Sequence, residues 1–235
     1  MAKQSGHSKE IWVYADWVEL GGTTLMGTLK AELVRGREVF SFAYSKEWLE
    51  KGSALLLDPD LRLYGGPQYS REDKPNFRLF LDSSPDRWGR VLMERREALK
   101  ARQENRKPRT LMESDYLMGV FDRYRMGGLR FKLSEDGPFL DNNDAMAAPP
   151  MASLRTLEAA SLQLENKDAV DSPQFAEWLN LLMSPGSSLG GARPKASIVD
   201  PGGQLWIAKF PSKKDDRDIG AWERVVNELA LRSGL

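Results

Sequence analysis

The chain has 235 residues, 41% of them hydrophobic, with 34 Lys plus Arg against 34 Asp plus Glu, so it can bury a substantial core and carries no formal net charge. Zero net charge excludes a global field that would gather the protein onto nucleic acid or an anionic membrane, so any such contact has to be local. Without cysteine there are no disulfides, thiolate nucleophiles or Cys-based zinc sites, and the single histidine, His7, excludes His-dependent triads and multi-His metal centres.

The opening MAKQSGHSKE lacks the apolar segment of a signal peptide, and no later apolar run approaches the roughly 18 residues of a membrane-spanning helix, so the expected compartment is the cytoplasm. From Ile11 to about Leu63 the pattern predicts strands at Ile11–Tyr14, Leu25–Leu29 and Val39–Tyr44, rich in β-branched and aromatic residues and separated by Gly21-Gly22 and Gly36. A twisted antiparallel meander is the simplest arrangement for them. Ser45 to Gly52 reads as one short helical turn, with serine at its start and glycine past its end. Tyr64–Asn76 reads as loop.

Ser84 and Pro85 predict a helix start, because proline is preset for the first helical position, and Trp88, Val91, Leu92 and Leu99 follow at helical spacing. Arg95, Arg96, Lys100, Arg102, Arg106, Lys107 and Arg109 make the rest of that segment basic. A solvated helix face explains them better than a phosphate-contacting patch, given the zero net charge and the absence of interleaved aromatics. Thr110-Leu-Met-Glu113 has capping-box spacing and predicts a helix through about Val120, followed by a turn at Arg123–Gly128 and a strand at Leu129–Leu133. Ser134–Pro150 reads as a polar connection and the best candidate for disorder. Helices are predicted at about Leu154–Glu165 and Pro173–Leu182, then a Ser184–Ser188 loop, a hairpin of Ala196–Val199 and Gln204–Phe210 turned by Pro201-Gly202-Gly203, and a helix from about Asp218. Trp12, Trp17, Trp88, Trp178 and Trp222 fall on strand or helix patterns and are expected in the core.

The segment Ser187–Phe210, SSLGGARPKASIVDPGGQLWIAKF, carries the most chemistry. Adjacent glycines let the backbone N–H groups of Gly190, Gly191 and Ala192 approach an anion, while Lys195 and Lys209 supply positive charge from the two ends of the hairpin. Fourteen residues after Lys209 comes Glu223, early in the last helix. A strand lysine followed by a helix glutamate is the ion pair with which protein kinases hold the α- and β-phosphates of ATP. Read blandly, Lys209 is an exposed edge residue, Glu223 a first-turn acid and Gly190-Gly191 a turn. The order of the parts favours phosphate binding.

GGARPKA at Gly190–Ala196, WIAKFPS at Trp206–Ser212, GAWE at Gly220–Glu223 and ELALRSGL at Glu228–Leu235 resemble, in order, blocks of the HipA family of serine/threonine kinase toxins from bacterial toxin–antitoxin pairs. FRLFLDSSPDRWGRVLMERRE from Phe77 and LMGVFDRYRMGGLRFK from Leu117 resemble that family's N-terminal region, so the likeness runs from about Ile11 to the last residue. The resemblance implies an α+β fold: an antiparallel β-rich module with packed helices over residues 8–105, then a helical connection and the start of a protein-kinase-like small lobe over residues 106–235. It implies ATP γ-phosphate transfer to a protein serine or threonine, with ATP and Mg2+ as cofactors and an aminoacyl-tRNA synthetase as a candidate substrate. It also implies a HipB-like antitoxin as partner, DNA contact through that antitoxin alone, and nucleotide binding by Ser188, Gly190, Gly191, Ala192, Lys195, Lys209 and Glu223. Ser188 matches the family's autophosphorylated serine, whose phosphate would add nearly two negative charges beside Lys195 and Arg193. Family members continue into a helical lobe with the catalytic aspartate and metal-binding residues. Here no asparagine has an aspartate five positions before it and no D-F-G occurs, so no catalytic or metal-binding residue is assigned and the 235-residue chain alone is expected to be inactive. The alternative is a non-catalytic module that binds a HipB-like antitoxin or regulates an intact kinase.

Overall fold

The computed structural model describes residues 8–50, 55–142, 153–166, 169, 172–186 and 193–235. Its strands are β1 (Ser8–Ala15), β2 (Thr24–Val34), β3 (Arg37–Tyr44), β4 (Gln68–Tyr69), β5 (Leu129–Lys132), β6 (Lys195–Val199) and β7 (Leu205–Lys209). Its helices are α1 (Lys46–Glu50), α2 (Arg78–Asp82), α3 (Arg87–Gln103), α4 (Glu113–Met118), α5 (Leu154–Leu164), α6 (Phe175–Gly186) and α7 (Ile219–Arg232). The fold is mixed α+β and divides into two compact units, Met1–Pro85 with Arg109–Asp144, and Asp86–Pro108 with Ala145–Leu235. The chain therefore passes between units more than once, and α3, which the sequence reading placed with the N-terminal module, belongs to the second unit.

The first unit is built on an antiparallel sheet of order β4-β3-β2-β1-β5. Alternation sets its inner face: Ile11, Val13 and Ala15 from β1, Leu29 and Ala31 from β2, and Phe40, Phe42 and Tyr44 from β3 are buried. Arg35-Gly36 joins β2 to β3 with φ of 49° and 80°, the left-handed pair that suits a tight hairpin turn. At Gly27 a Cβ would stand 2.2 Å from the Ala43 carbonyl oxygen, beside the register shift between Val13 and Tyr14. Trp48 of α1 and Phe80 of α2 complete the core, with the Phe42 and Phe80 rings 5.4 Å apart. Arg125, 8% exposed, donates to the carbonyls of Ser83 (2.8 Å), Val120 (3.1 Å) and Leu140 (3.1 Å).

Helix starts obey local hydrogen bonding more than motif spacing. Ser45 caps α1 as expected, its Oγ accepting the Trp48 N–H at 3.1 Å. Ser84 does not open α3: its Oγ donates to the Phe80 carbonyl at 2.9 Å, and the helix begins after Asp86. Nor does Thr110 open α4. There the N-cap is Met112, whose N–H is accepted by Asp115 Oδ2 at 2.9 Å. The α2 turn lay inside no predicted element, and it is held by Asp58, which accepts the Leu79 N–H at 2.9 Å.

In the second unit α6 packs against α3, α5 and β6, and β6 pairs with β7 in a two-stranded antiparallel sheet. Leu92 and Met93 of α3, Leu157 and Leu164 of α5, Leu179 and Leu182 of α6, and Ala196 and Ile198 of β6 form its buried apolar set. The backbone of α6 runs to Gly186, through Ser184 and Pro185 that the sequence reading gave to a loop. In α7 no residue is buried, and Trp222, expected in the core, is 58% exposed. Among the described residues no helix is long and apolar enough to cross a membrane.

Candidate functional site

The β6–β7 ladder sets Lys195 directly opposite Lys209, so both ammonium groups rise from one face at the open end of the hairpin. The other end is closed by Asp200, which accepts the backbone N–H of Gly202 (2.9 Å) and Gln204 (2.8 Å) and the Trp206 indole N–H (2.9 Å). That carboxylate holds the Pro201-Gly202-Gly203 turn and thereby fixes the register that brings the lysines together. Gly203, at φ 81°, supplies the left-handed residue the turn requires.

Lys209 Nζ donates to Glu223 Oε2 at 2.8 Å, joining β7 to the first turns of α7. Both side chains are about half exposed, 51% and 50%, so the pair contributes below about 1 kcal/mol to stability. Its effect is positional: a flexible lysine is held at one place. Asp218 caps α7, accepting the Ala221 N–H at 2.9 Å, and so sets where Glu223 falls. The hydrogen bond and charge of Lys209 hold the Glu223 carboxyl below its ordinary range, with Arg193 and Lys195 acting in the same direction.

Lys195 is the unusual member, because it is only 7% exposed and makes no hydrogen bond to a described residue. Burial pushes its ammonium below the ordinary lysine value, and the charge of Lys209 adds to this, whereas Asp86 and Glu223 oppose it. Glu223 is taken up by the hydrogen bond from Lys209, so Lys195 is left with the more distant charges of Asp86 and Glu223 and no hydrogen-bonded counter-ion among the described residues. Arg193 leads into β6 and is clamped, donating to Asp215 Oδ2 at 2.5 Å and to the Phe210 carbonyl at 3.0 Å. The Arg193–Asp215 clamp carries no motif signal, because its partners lie 22 residues apart on loops.

Of the residues singled out in the sequence, Lys195, Lys209 and Glu223 are thus brought together. Ser188, Gly190, Gly191 and Ala192 lie outside the described residues. The basic stretch after Arg95 is largely tied up internally: Arg106 is paired with Glu97 (2.5 Å) and Glu104 (2.6 Å), and Arg109 with Asp115 (3.0 Å). Among the described residues no group of three or more His, Cys, Asp or Glu could hold a metal ion. Against protein-family models, curated proteins and solved structures the chain has no match, so the case for its function rests on the residues themselves.

Proposed function

We propose that the second unit carries a nucleotide-phosphate site of the HipA-like kinase type, in which Lys209, oriented by Glu223 and backed by Lys195, receives the phosphates of ATP. The observation that carries this reading is the 2.8 Å Lys209–Glu223 ion pair, set opposite a buried lysine that lacks a hydrogen-bond partner among the described residues. A bound polyanion would stabilise the charged form of Lys195 and offset the repulsion between the two ammonium groups. The resemblance assigns the remaining phosphate contacts to Ser188, Gly190, Gly191 and Ala192, which lie outside the described residues. Within this reading the chain is part of a toxin kinase that transfers the ATP γ-phosphate to a protein serine or threonine and associates with a HipB-like antitoxin. As the chain stands, D-x-x-x-x-N and D-F-G are absent, so nucleotide binding without turnover is expected.

Calorimetric titration of the 235-residue chain with ATP, with and without Mg2+, tests it. Lys209→Ala should weaken binding about tenfold or more and Glu223→Ala by less, since a charge-assisted contact to phosphate is lost in the first and only its positioning in the second. Equal ATP affinity in the parent and a folded Lys209→Ala variant would end the proposal. A second reading, a non-catalytic module for an antitoxin-like partner, is favoured by one observation: Trp222, Val225, Val226 and Leu229 of α7 are all exposed. It predicts partner binding that survives Lys209→Ala.

A further inference from the structure

A cavity of about 430 Å³ in the second unit, lined by Arg87, Trp88, Val91 and Arg95 along one side of α3, and by Leu164, Glu165, Arg193, Ser212, Lys214 and Asp215, is apart from Lys209 and Glu223, which do not line it. Its size falls within the roughly 300–1,000 Å³ of small-molecule sites. The charges around it do not balance. Glu165 is taken up by the turn after β7, accepting from Ser212 Oγ (2.6 Å) and the Lys213 N–H (2.7 Å). Asp215 is taken up in the same way by the Ser212 N–H (2.9 Å) and Arg193 (2.5 Å). Against these two carboxylates stand Arg87, Arg95, Arg193 and Lys214. The side chains of Arg87, Arg95 and Lys214 make no hydrogen bond or ion pair with a described residue, although the charge of Glu165 acts on Arg95.

Two donors on the α3 side are sealed from solvent without an acceptor among the described residues: Arg95 Nη1 and the Nε1 of Trp88, a residue 5% exposed. Leaving a buried donor unpaired is costly, and a guanidinium more so than an indole. Arg95 is half-buried, and its Nη1 is the part withdrawn from water. Arg87 is the first residue of a 17-residue helix, where the backbone dipole adds positive potential. Trp88, Val91 and Leu164 give the same cavity an apolar wall.

We propose that this cavity binds a small phosphate monoester, with Arg95 and Arg87 donating to the phosphate oxygens, Lys214 adding charge at the mouth, and the organic part lying against Trp88, Val91 and Leu164. A dianionic head matches the excess of two positive charges, which a carboxylate would leave half neutralised. Arginine pairs also suit phosphate because their planar forks donate two parallel hydrogen bonds. The sequence reading took Arg95 for part of a solvated face. That its Nη1 is sealed in a cavity shared with the end of α5 and the turn after β7 is a tertiary fact that helical spacing cannot signal.

The test is an amide and side-chain 1H–15N titration of the full chain with phenyl phosphate, inorganic phosphate and benzoate, following the Trp88 indole and Arg95 Nε–H resonances, with Trp88→Phe assigning the first. Saturable shifts are expected with phenyl phosphate, about tenfold tighter than with benzoate. Arg95→Gln should weaken binding about tenfold, and Lys209→Ala should leave it unchanged, which separates this site from the ATP site proposed above. Linear, non-saturating shifts, equal affinity for benzoate, or inorganic phosphate binding as tightly as phenyl phosphate would each overturn the monoester assignment. Should Arg95→Gln not fold, Arg87→Gln with Lys214→Gln replaces it, and parent-like affinity in that folded double variant overturns the proposal.

Discussion

In β3 the residues Phe40, Phe42 and Tyr44 are 0%, 0% and 5% exposed, whereas in β7 Leu205, Trp206 and Ile207 are 46%, 54% and 51% exposed, although both strands sit in antiparallel ladders. The difference is cover. β3 lies between two neighbours, β2 and β4, and Phe80 of α2 stacks on its inner face at Phe42. Among the described residues β7 pairs with β6 alone, and within its unit the contacts of α6 fall on β6, whose first four residues are buried. The same contrast holds between helices: α3 buries Trp88, Leu92 and Met93, and α7 buries nothing. Apolar alternation decides which residues share a face, and a second layer decides whether that face is dry. The first unit is therefore expected to hold most of its stability in packing, and the hairpin with α7 to hold little.

The largest effect that would break this contrast is at Phe80. Phe80→Ala removes a fully buried ring that meets Phe42, Phe77 and Phe131, and should cost about 3–5 kcal/mol. Urea unfolding followed by amide exchange in β1–β3 reads the loss. Trp206→Ala removes a larger ring system but should cost only about 1 kcal/mol, because about half of that side chain already faces solvent. Similar losses for the two would mean that β7 is covered in solution.

A smaller effect distinguishes the units by charge. Burial by itself raises the Asp115 carboxyl, but Lys9 Nζ (2.8 Å), the Met112 N–H (2.9 Å) and Arg109 Nη1 (3.0 Å) outweigh it and hold the group below its ordinary value. A carboxyl that binds its proton more weakly when folded stabilises the fold above its unfolded pKa, and this contribution is lost as pH falls through the folded value. Asp115→Asn should thus cost about 1–3 kcal/mol at neutral pH, and the gap to the parent should close below about pH 4. A gap that persisted undiminished into acid would show that Asp115 acts through shape and not charge.

That same residue shows where sequence reading stops. The β1–β3 meander was legible because Ile11–Tyr14, Leu25–Leu29 and Val39–Tyr44 are rich in β-branched and aromatic residues and separated by Gly21-Gly22 and Gly36, and the hairpin because Pro201-Gly202-Gly203 marks a turn between two apolar runs. Lys209 and Glu223 were read as a pair from the order of a strand lysine and a helix glutamate and from the family resemblance, and the two side chains lie 2.8 Å apart. The start of α4 was not legible. Thr110 and Glu113 have the spacing of a capping box, but Asp115 wins the N-terminus because Lys9, 106 residues away, holds it there. Arg125 is another case: its three carbonyl acceptors come from separate segments, and no spacing announces them. Sequence pattern carries local geometry well and carries long-range pairing of single polar groups poorly.

The smallest expected effect is also the sharpest probe of α7. Val226 and Leu229 are 61% and 57% exposed, one turn apart beside Trp222 and Val225, so they present apolar area to water in the folded chain much as they would unfolded. Val226→Ser should change stability by less than about 0.5 kcal/mol, and Leu229→Ser by little more, through helix propensity alone. The pair of changes should nevertheless lower the fluorescence of an apolar dye bound to the native protein, since its binding surface is removed. Leu92→Ser in α3, at 0% exposure, should do the reverse, destabilising strongly and raising dye binding as the unit loosens. If Val226→Ser instead cost about 2 kcal/mol, an amount that requires burial, then α7 would be covered in solution, and a loss that grew with protein concentration would identify a second copy of the chain as the cover.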